Sequence, residues 1–141
     1  NMQLQTTTFV IIALLFVVVE GYSKTSPLSG LTFYGSSTFY TIQMTFSNTS
    51  NVVDSFLILG SFHPTDKCSG FEYALNDNDI TFPALSTKGS CMYHTFKDDY
   101  YVPTPDSISF KLQPNGTSIV VKPGIELLPP LTISTYPPTT H

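Results

Sequence analysis

The chain has 141 residues and a formal net charge of -4, from 6 basic and 10 acidic residues. Every basic residue is a lysine and only 11% of residues are charged, so the electrostatic surface that holds a nucleic-acid backbone is missing. The length fits one domain, and the composition is 41% hydrophobic and 13% aromatic, with no tryptophan, and Ser, Thr and Asn at the polar positions.

Met2 is followed by a mostly polar stretch, then by an apolar run of eleven residues over 9–19. That run is too short for a bilayer-spanning helix, which takes ~20 residues. It fits the apolar region of a secretory signal peptide cut between Gly21 and Ser23, although the stretch before it carries no Lys or Arg. The alternative is a buried N-terminal strand. Residues 1–23 are therefore expected to be a signal peptide, and the protein to be secreted to the cell surface or extracellular matrix. No membrane span is expected once the signal is removed.

Residues 26–35 form a Ser/Gly/Pro-punctuated lead. Over 38–46, Tyr40, Ile42, Met44 and Phe46 alternate with Thr41, Gln43 and Thr45, which predicts a strand with one apolar face. A turn at 47–51 leads to a second strand over 52–59 and a loop over 60–70. Phe71, Tyr73 and Leu75 alternate with polar or small residues. The acidic turn 76–79 then predicts a hairpin that returns over 80–83. Another short strand is predicted over 91–96, a Pro-broken loop over 97–106, and a second hairpin from 108–112 and 118–122 around Pro114-Asn115-Gly116. No segment after the signal shows a helical period. The expectation is an all-β, antiparallel immunoglobulin-like β-sandwich over 24–122. Residues 123–141 read as a Pro/Thr-rich tail or stalk, in which 125–133 has room for one edge strand.

Cys68 and Cys91 form an even pair, which in a secreted chain reads as a disulfide worth ~3 kcal/mol in the chain-entropy model. Asn48 and Asn115 each head an Asn-x-Ser/Thr sequon, expected to be glycosylated. Asp77-Asn78-Asp79 has oxygen donors but lacks the glycine and distal Glu of a calcium loop, and reads as a solvated turn. Asp98 and Asp99 are sequence neighbours that point apart, so they read as surface charge rather than a catalytic pair. His63 and His94 accompany no catalytic motif, and His94 is expected half-buried beside the disulfide. Catalytic residues, metal and cofactor are all expected to be absent, and the protein is not expected to be an enzyme.

The aromatics carry the functional expectation. Tyr34, Phe39, Phe71, Tyr73, Tyr100 and Tyr101 lie on or beside loops and hairpin ends. Flat rings there stack on the apolar faces of sugars, unless they belong to the core.

Three blocks resemble a known family. The first is the strand and turn Tyr40-Thr41-Ile42-Gln43-Met44-Thr45-Phe46-Ser47-Asn48-Thr49-Ser50. The second runs from Phe71 through Ile80-Thr81-Phe82-Pro83. The third is Leu85 to Gly89, then Met92 to Phe96. Together, over about half the chain, they are similar to carbohydrate-binding module family 49, the small cellulose-binding modules of plant endoglucanases and of secreted proteins of social amoebae. The resemblance implies a cellulose-like polysaccharide as the partner. Tyr34 and Phe71 stand where that family places tryptophan, so they lead the expected ligand-binding set, with Tyr73, Tyr100 and Tyr101 behind them. The alternative is an adhesion or coat glycoprotein module whose partner is a protein at the cell surface, met through the same aromatics.

Overall fold

The computed structural model describes residues 26–125 and 128–135. The expected signal peptide, 1–23, lies outside the described residues, as do 136–141 of the expected tail.

Ten strands are described: β1 (Thr32–Ser36), β2 (Tyr40–Phe46), β3 (Val52–Gly60), β4 (Asp66–Cys68), β5 (Phe71–Glu72), β6 (Ala74–Asn76), β7 (Asp79–Thr81), β8 (Ser109–Leu112), β9 (Ser118–Lys122) and β10 (Leu131–Ser134). They join one antiparallel sheet in the order β4-β3-β2-β1-β10-β9-β8-β7-β6, with β5 on β3. Nearly every pairing is between sequence neighbours, and β10 returns to close on β1. This meander curls around its own core as a half-barrel. It agrees with the expected antiparallel all-β class, whereas an immunoglobulin-like sandwich is built with Greek-key connections between two sheets.

The alternation in the sequence drives the curl. Tyr40, Ile42, Met44 and Phe46 of β2 are buried, as are Phe56 and Ile58 of β3, Phe110 and Leu112 of β8, Ile119 and Val121 of β9, and Leu131 and Ile133 of β10. One face of each strand therefore leaves water, at ~1.5–3 kcal/mol for each large apolar side chain. The core is rich in edge-to-face rings. An unbroken series of ring contacts runs from Phe110 through Phe82, Phe71, Phe56 and Phe96 to Tyr100, with centroid spacings of 4.8 to 6.5 Å.

Three expectations are corrected. The lead segment contains β1, near the middle of the sheet. Its Gly35 is required there, because a Cβ would stand 2.5 Å from the Thr132 carbonyl oxygen and 2.8 Å from Ile133 Cγ2. The strand found in the tail, β10, is not an edge: it pairs with both β1 and β9, so the folded domain continues past residue 122. The short strand expected at 91–96 is helical: α1 (Cys91–His94) runs on into a π turn, Thr95–Asp99. Met92, Thr95 and Phe96 are its buried positions, a helical spacing. The Ser90 hydroxyl caps it, accepting from the Tyr93 N–H at 3.1 Å.

Candidate functional site

Four large hydrophobic side chains stand exposed among the described residues: Phe39, Leu59, Phe62 and Tyr101. All four belong to one end of the sheet. Phe39 precedes β2 and Leu59 nearly ends β3, where Tyr40 pairs with Gly60. The Ser61 N–H donates to the Phe39 carbonyl at 3.1 Å and its hydroxyl donates to the Thr38 carbonyl at 3.0 Å, tying the two loops together. Phe62 follows, 93% exposed. The His63 ring then lies 5.4 Å from that of Tyr100 and 6.1 Å from that of Tyr101. Single exposed apolar residues are ordinary, but grouped ones mark contact surfaces.

Tyr101 is 72% exposed and has φ 56°. A tyrosine in the left-handed region costs ~1–3 kcal/mol, and such residues gather at functional sites. Here the strain turns the ring outward while the next residue, Val102, returns to the core with its N–H on the Phe96 carbonyl at 2.8 Å.

Beneath this end lies a small acidic pair. Asp66 opens β4 and Asp99 closes the π turn, near enough for Asp99 to act on the Asp66 carboxyl. Burial, then Asp99, holds the Asp66 carboxyl above the usual aspartate range, while His63 and His94 pull it back. Burial, with Asp66 and Asp99 adding to it, pushes the Tyr100 hydroxyl up to about 12. Asp66 Oδ2 and the Tyr100 hydroxyl are buried and lack a hydrogen-bond partner. His94 is not half-buried as expected. It is exposed on α1, with Nδ1 2.5 Å from the Asp98 carboxylate one turn on.

The outer sheet face leads to the same end. Tyr34 pairs with Gln43, and Gln43 with Leu57; Ser36 pairs with Thr41, and Thr41 with Leu59. These rows are two residues apart, or roughly 7 Å. The hydroxyls of Ser36 and Thr41 bond to each other, as do those of Thr32 and Thr45 at 3.0 Å. The strip is thus a hydroxyl-rich sheet surface with one tyrosine, opening onto the exposed aromatic end.

The five expected ligand residues separate. Tyr101 is in the exposed group, with half-buried Tyr100 behind it. Tyr34 is half-buried on the outer strip. Phe71 packs edge-on against Phe56 and Phe82, and Tyr73 is buried edge-on against Phe46 at 4.9 Å. Tyr73 thus has no ring face open to solvent, while Phe71 is half-buried against the core. Phe62 went unremarked in the sequence, although a Phe among polar residues directly after a strand was the available signal. Asn48 and Asn115 are exposed in their turns. The Asn115 Oδ1 accepts from the Thr117 N–H at 3.0 Å.

Cys68 and Cys91 are bonded, with Cα atoms 5.7 Å apart. The bridge fastens the end of β4 to the start of α1, and the Thr95 hydroxyl rests 3.6 Å from the Cys68 sulfur. Among the described residues, no group of three or more His, Cys, Asp or Glu side chains is arranged to hold a metal ion. No described helix is long and apolar enough to cross a membrane. The chain matches no family model, no curated protein and no solved structure.

Proposed function

We propose that this protein is a secreted carbohydrate-binding module that holds a cellulose-like polysaccharide by ring stacking, with no bond-making step. The observation that carries this reading is the gathering of Phe39, Leu59, Phe62 and Tyr101 at one sheet end. A sugar has apolar ring faces and a hydroxyl rim. Tyr101 and Phe62 supply faces for the first, and the Ser36, Thr41 and Gln43 side chains supply partners for the second along the outer strip. Tyr34 extends the same track inward from the end. The disulfide supports secretion, since such bonds persist in oxidising compartments. In its finer form the proposal takes the two halves of the curled sheet as facing layers of an immunoglobulin-like β-sandwich that differs in being wound as a meander. N-glycans on Asn48 and Asn115 fit the same secreted setting.

The second reading is an adhesion or coat module that docks a protein. Leu59 favours it, because an aliphatic side chain offers a sugar little and a protein interface much. A pull-down on insoluble cellulose separates the two. Retention that is lost in Tyr101→Ala and Phe62→Ala supports the glycan reading. Absence of retention in wild type overturns it and leaves the protein partner.

A further inference from the structure

A hollow of about 450 Å³ opens on the outer face where β7, β8 and β9 run side by side. Its walls are Asp79, Ser109, Lys111, Gln113, Val120 and Lys122. The alternation of β8 and β9 sends Phe110, Leu112, Ile119 and Val121 into the core and leaves these side chains outside. Lys111 faces Val120 and Lys122 faces Ser109, so the two lysines are diagonal neighbours. Their backbones stand roughly 7–8 Å apart, within reach of one bound group for long side chains. Asp79 faces Lys111 from β7, on the side away from Lys122. The one ion pair among the described residues joins His94 to Asp98, so Asp79 does not neutralise Lys111 by contact. The Gln113 amide is folded back onto the Lys111 carbonyl at 3.0 Å.

The hollow continues into a second one of about 450 Å³ that shares Asp79 and Ser109 and carries Thr81, Ser86, Ser107 and Asp106. Each is of the size of a small-molecule site. Among the described residues, Val120 is the one apolar side chain in the first lining, and no aromatic ring lines it. Recognition there is polar, unlike that proposed for the aromatic end on β2 and β3, from which β1 and β10 separate it.

We propose that this hollow is a distinct site for an acidic saccharide, one whose carboxylate or sulfate ester is held between Lys111 and Lys122. Two neighbouring ammonium groups repel each other, and a shared anion relieves that repulsion. Asp79 and Asp106 only accept hydrogen bonds. They repel a bare anion, but they take up the hydroxyls that a sugar donates. The lining is thus cationic at β8 and β9 and carboxylate-bearing at β7, the pattern of a ligand with an acid group at one end and hydroxyls at the other. The net charge of -4 disfavours a densely charged polyanion at long range, so recognition is local. The site stands whether or not the aromatic end holds a glucan.

Titration calorimetry of the full chain with oligogalacturonate tests it, with the methyl-esterified oligomer, a sulfated oligosaccharide, inorganic sulfate and oligoglutamate as companions. Oligogalacturonate or the sulfated sugar is expected to bind, more weakly as salt rises, and the stronger of the two identifies the acid group. The esterified oligomer is expected not to bind. Lys111→Gln and Lys122→Gln are each expected to weaken binding about tenfold, with unchanged melts because both side chains are exposed. Lys67→Gln makes the same charge change at the opposite edge of the sheet, on β4, and is expected to bind as wild type. Equal loss in Lys67→Gln would reduce the effect to net charge and overturn the site. Binding of the esterified oligomer, equal binding of sulfate or oligoglutamate, or no saccharide binding at all would also overturn it. A cellulose pull-down with Lys111→Gln keeps the two sites apart: retention equal to wild type is expected, whatever wild type retains, and loss of cellulose together with oligogalacturonate would overturn a distinct site.

Discussion

Tyr100 lies directly on Gly60: a Cβ at residue 60 would come within 2.9 Å of the Tyr100 hydroxyl oxygen and 3.0 Å of its Cε1. The ring has little room to retreat, because Phe96 and His63 flank it at 6.4 and 5.4 Å. Gly60→Ala is therefore expected to cost ~1–3 kcal/mol by overpacking. Urea denaturation of Gly60→Ala, Tyr100→Ala and the double variant measures it. The double variant should lose less than the sum of the two, since the clash vanishes with the ring.

The disulfide joins β4 to α1 across a sequence separation of 23. Replacing both cysteines with alanine is expected to lower stability by ~3 kcal/mol. The loss should appear in a denaturant melt and be reproduced by reductant on wild type. A variant that melts with wild type would mean that packing of Met92 and Phe96 alone holds the helix to the sheet.

Tyr73 and Phe71 should separate in a stability measurement. The Tyr73 hydroxyl is buried without a partner, so Tyr73→Phe removes an unpaid desolvation and is expected to stabilise by ~1 kcal/mol. Phe71 joins Phe56 to Phe82 in the ring series. Phe71→Ala should cost ~3 kcal/mol or more. Thermal melts of both variants check this, and a harmless Phe71→Ala would place that ring outside the core.

Alkaline pH offers a separate check. Burial, with Asp66 and Asp99 behind it, raises the Tyr100 hydroxyl from 10.0 to about 12. Burial also raises Tyr40. Both tyrosines stay protonated in the fold after their unfolded counterparts have ionised. Stability is therefore expected to fall as pH climbs from about 10 towards 12. Tyr100→Phe should flatten part of that fall, read by tyrosinate absorbance against a melt at each pH. An unchanged slope would mean that Tyr100 titrates as if in water.

The strands with strict alternation were legible. Residues 40–46 and the hairpin of β8 and β9 follow from their period of two, the strand expected over 52–59 from its apolar run, and the Cys68–Cys91 bond from an even count in a chain expected to be secreted. The centre of the sheet was harder to read. Thr32–Ser36 is broken by Gly35, and that glycine answers to its close neighbour β10, which lies a hundred residues away in the chain. Cys91–Phe96 has β-prone aromatics, but the helical spacing of Met92 and Phe96 and the Ser90 cap outweigh them. The exposed end was half legible. Tyr101 came from its position in a Pro-broken loop, while Phe39, Leu59 and Phe62 meet it only through the pairing of β2 with β3. Phe71 and Tyr73 alternate in the sequence just as exposed rings would, but Phe71 in β5 is half-buried and Tyr73, between β5 and β6, is buried.

The most direct measurement is the affinity of Tyr101→Ala for cellulose, taken with its thermal melt. Tyr101 is 72% exposed, so the melt is expected to stay within about 0.5 kcal/mol of wild type. Loss of one stacking ring, at ~0.5–1.5 kcal/mol, is expected to weaken binding by up to about tenfold. Undiminished cellulose binding in a well-folded Tyr101→Ala would contradict the assignment of this aromatic end as the glycan site.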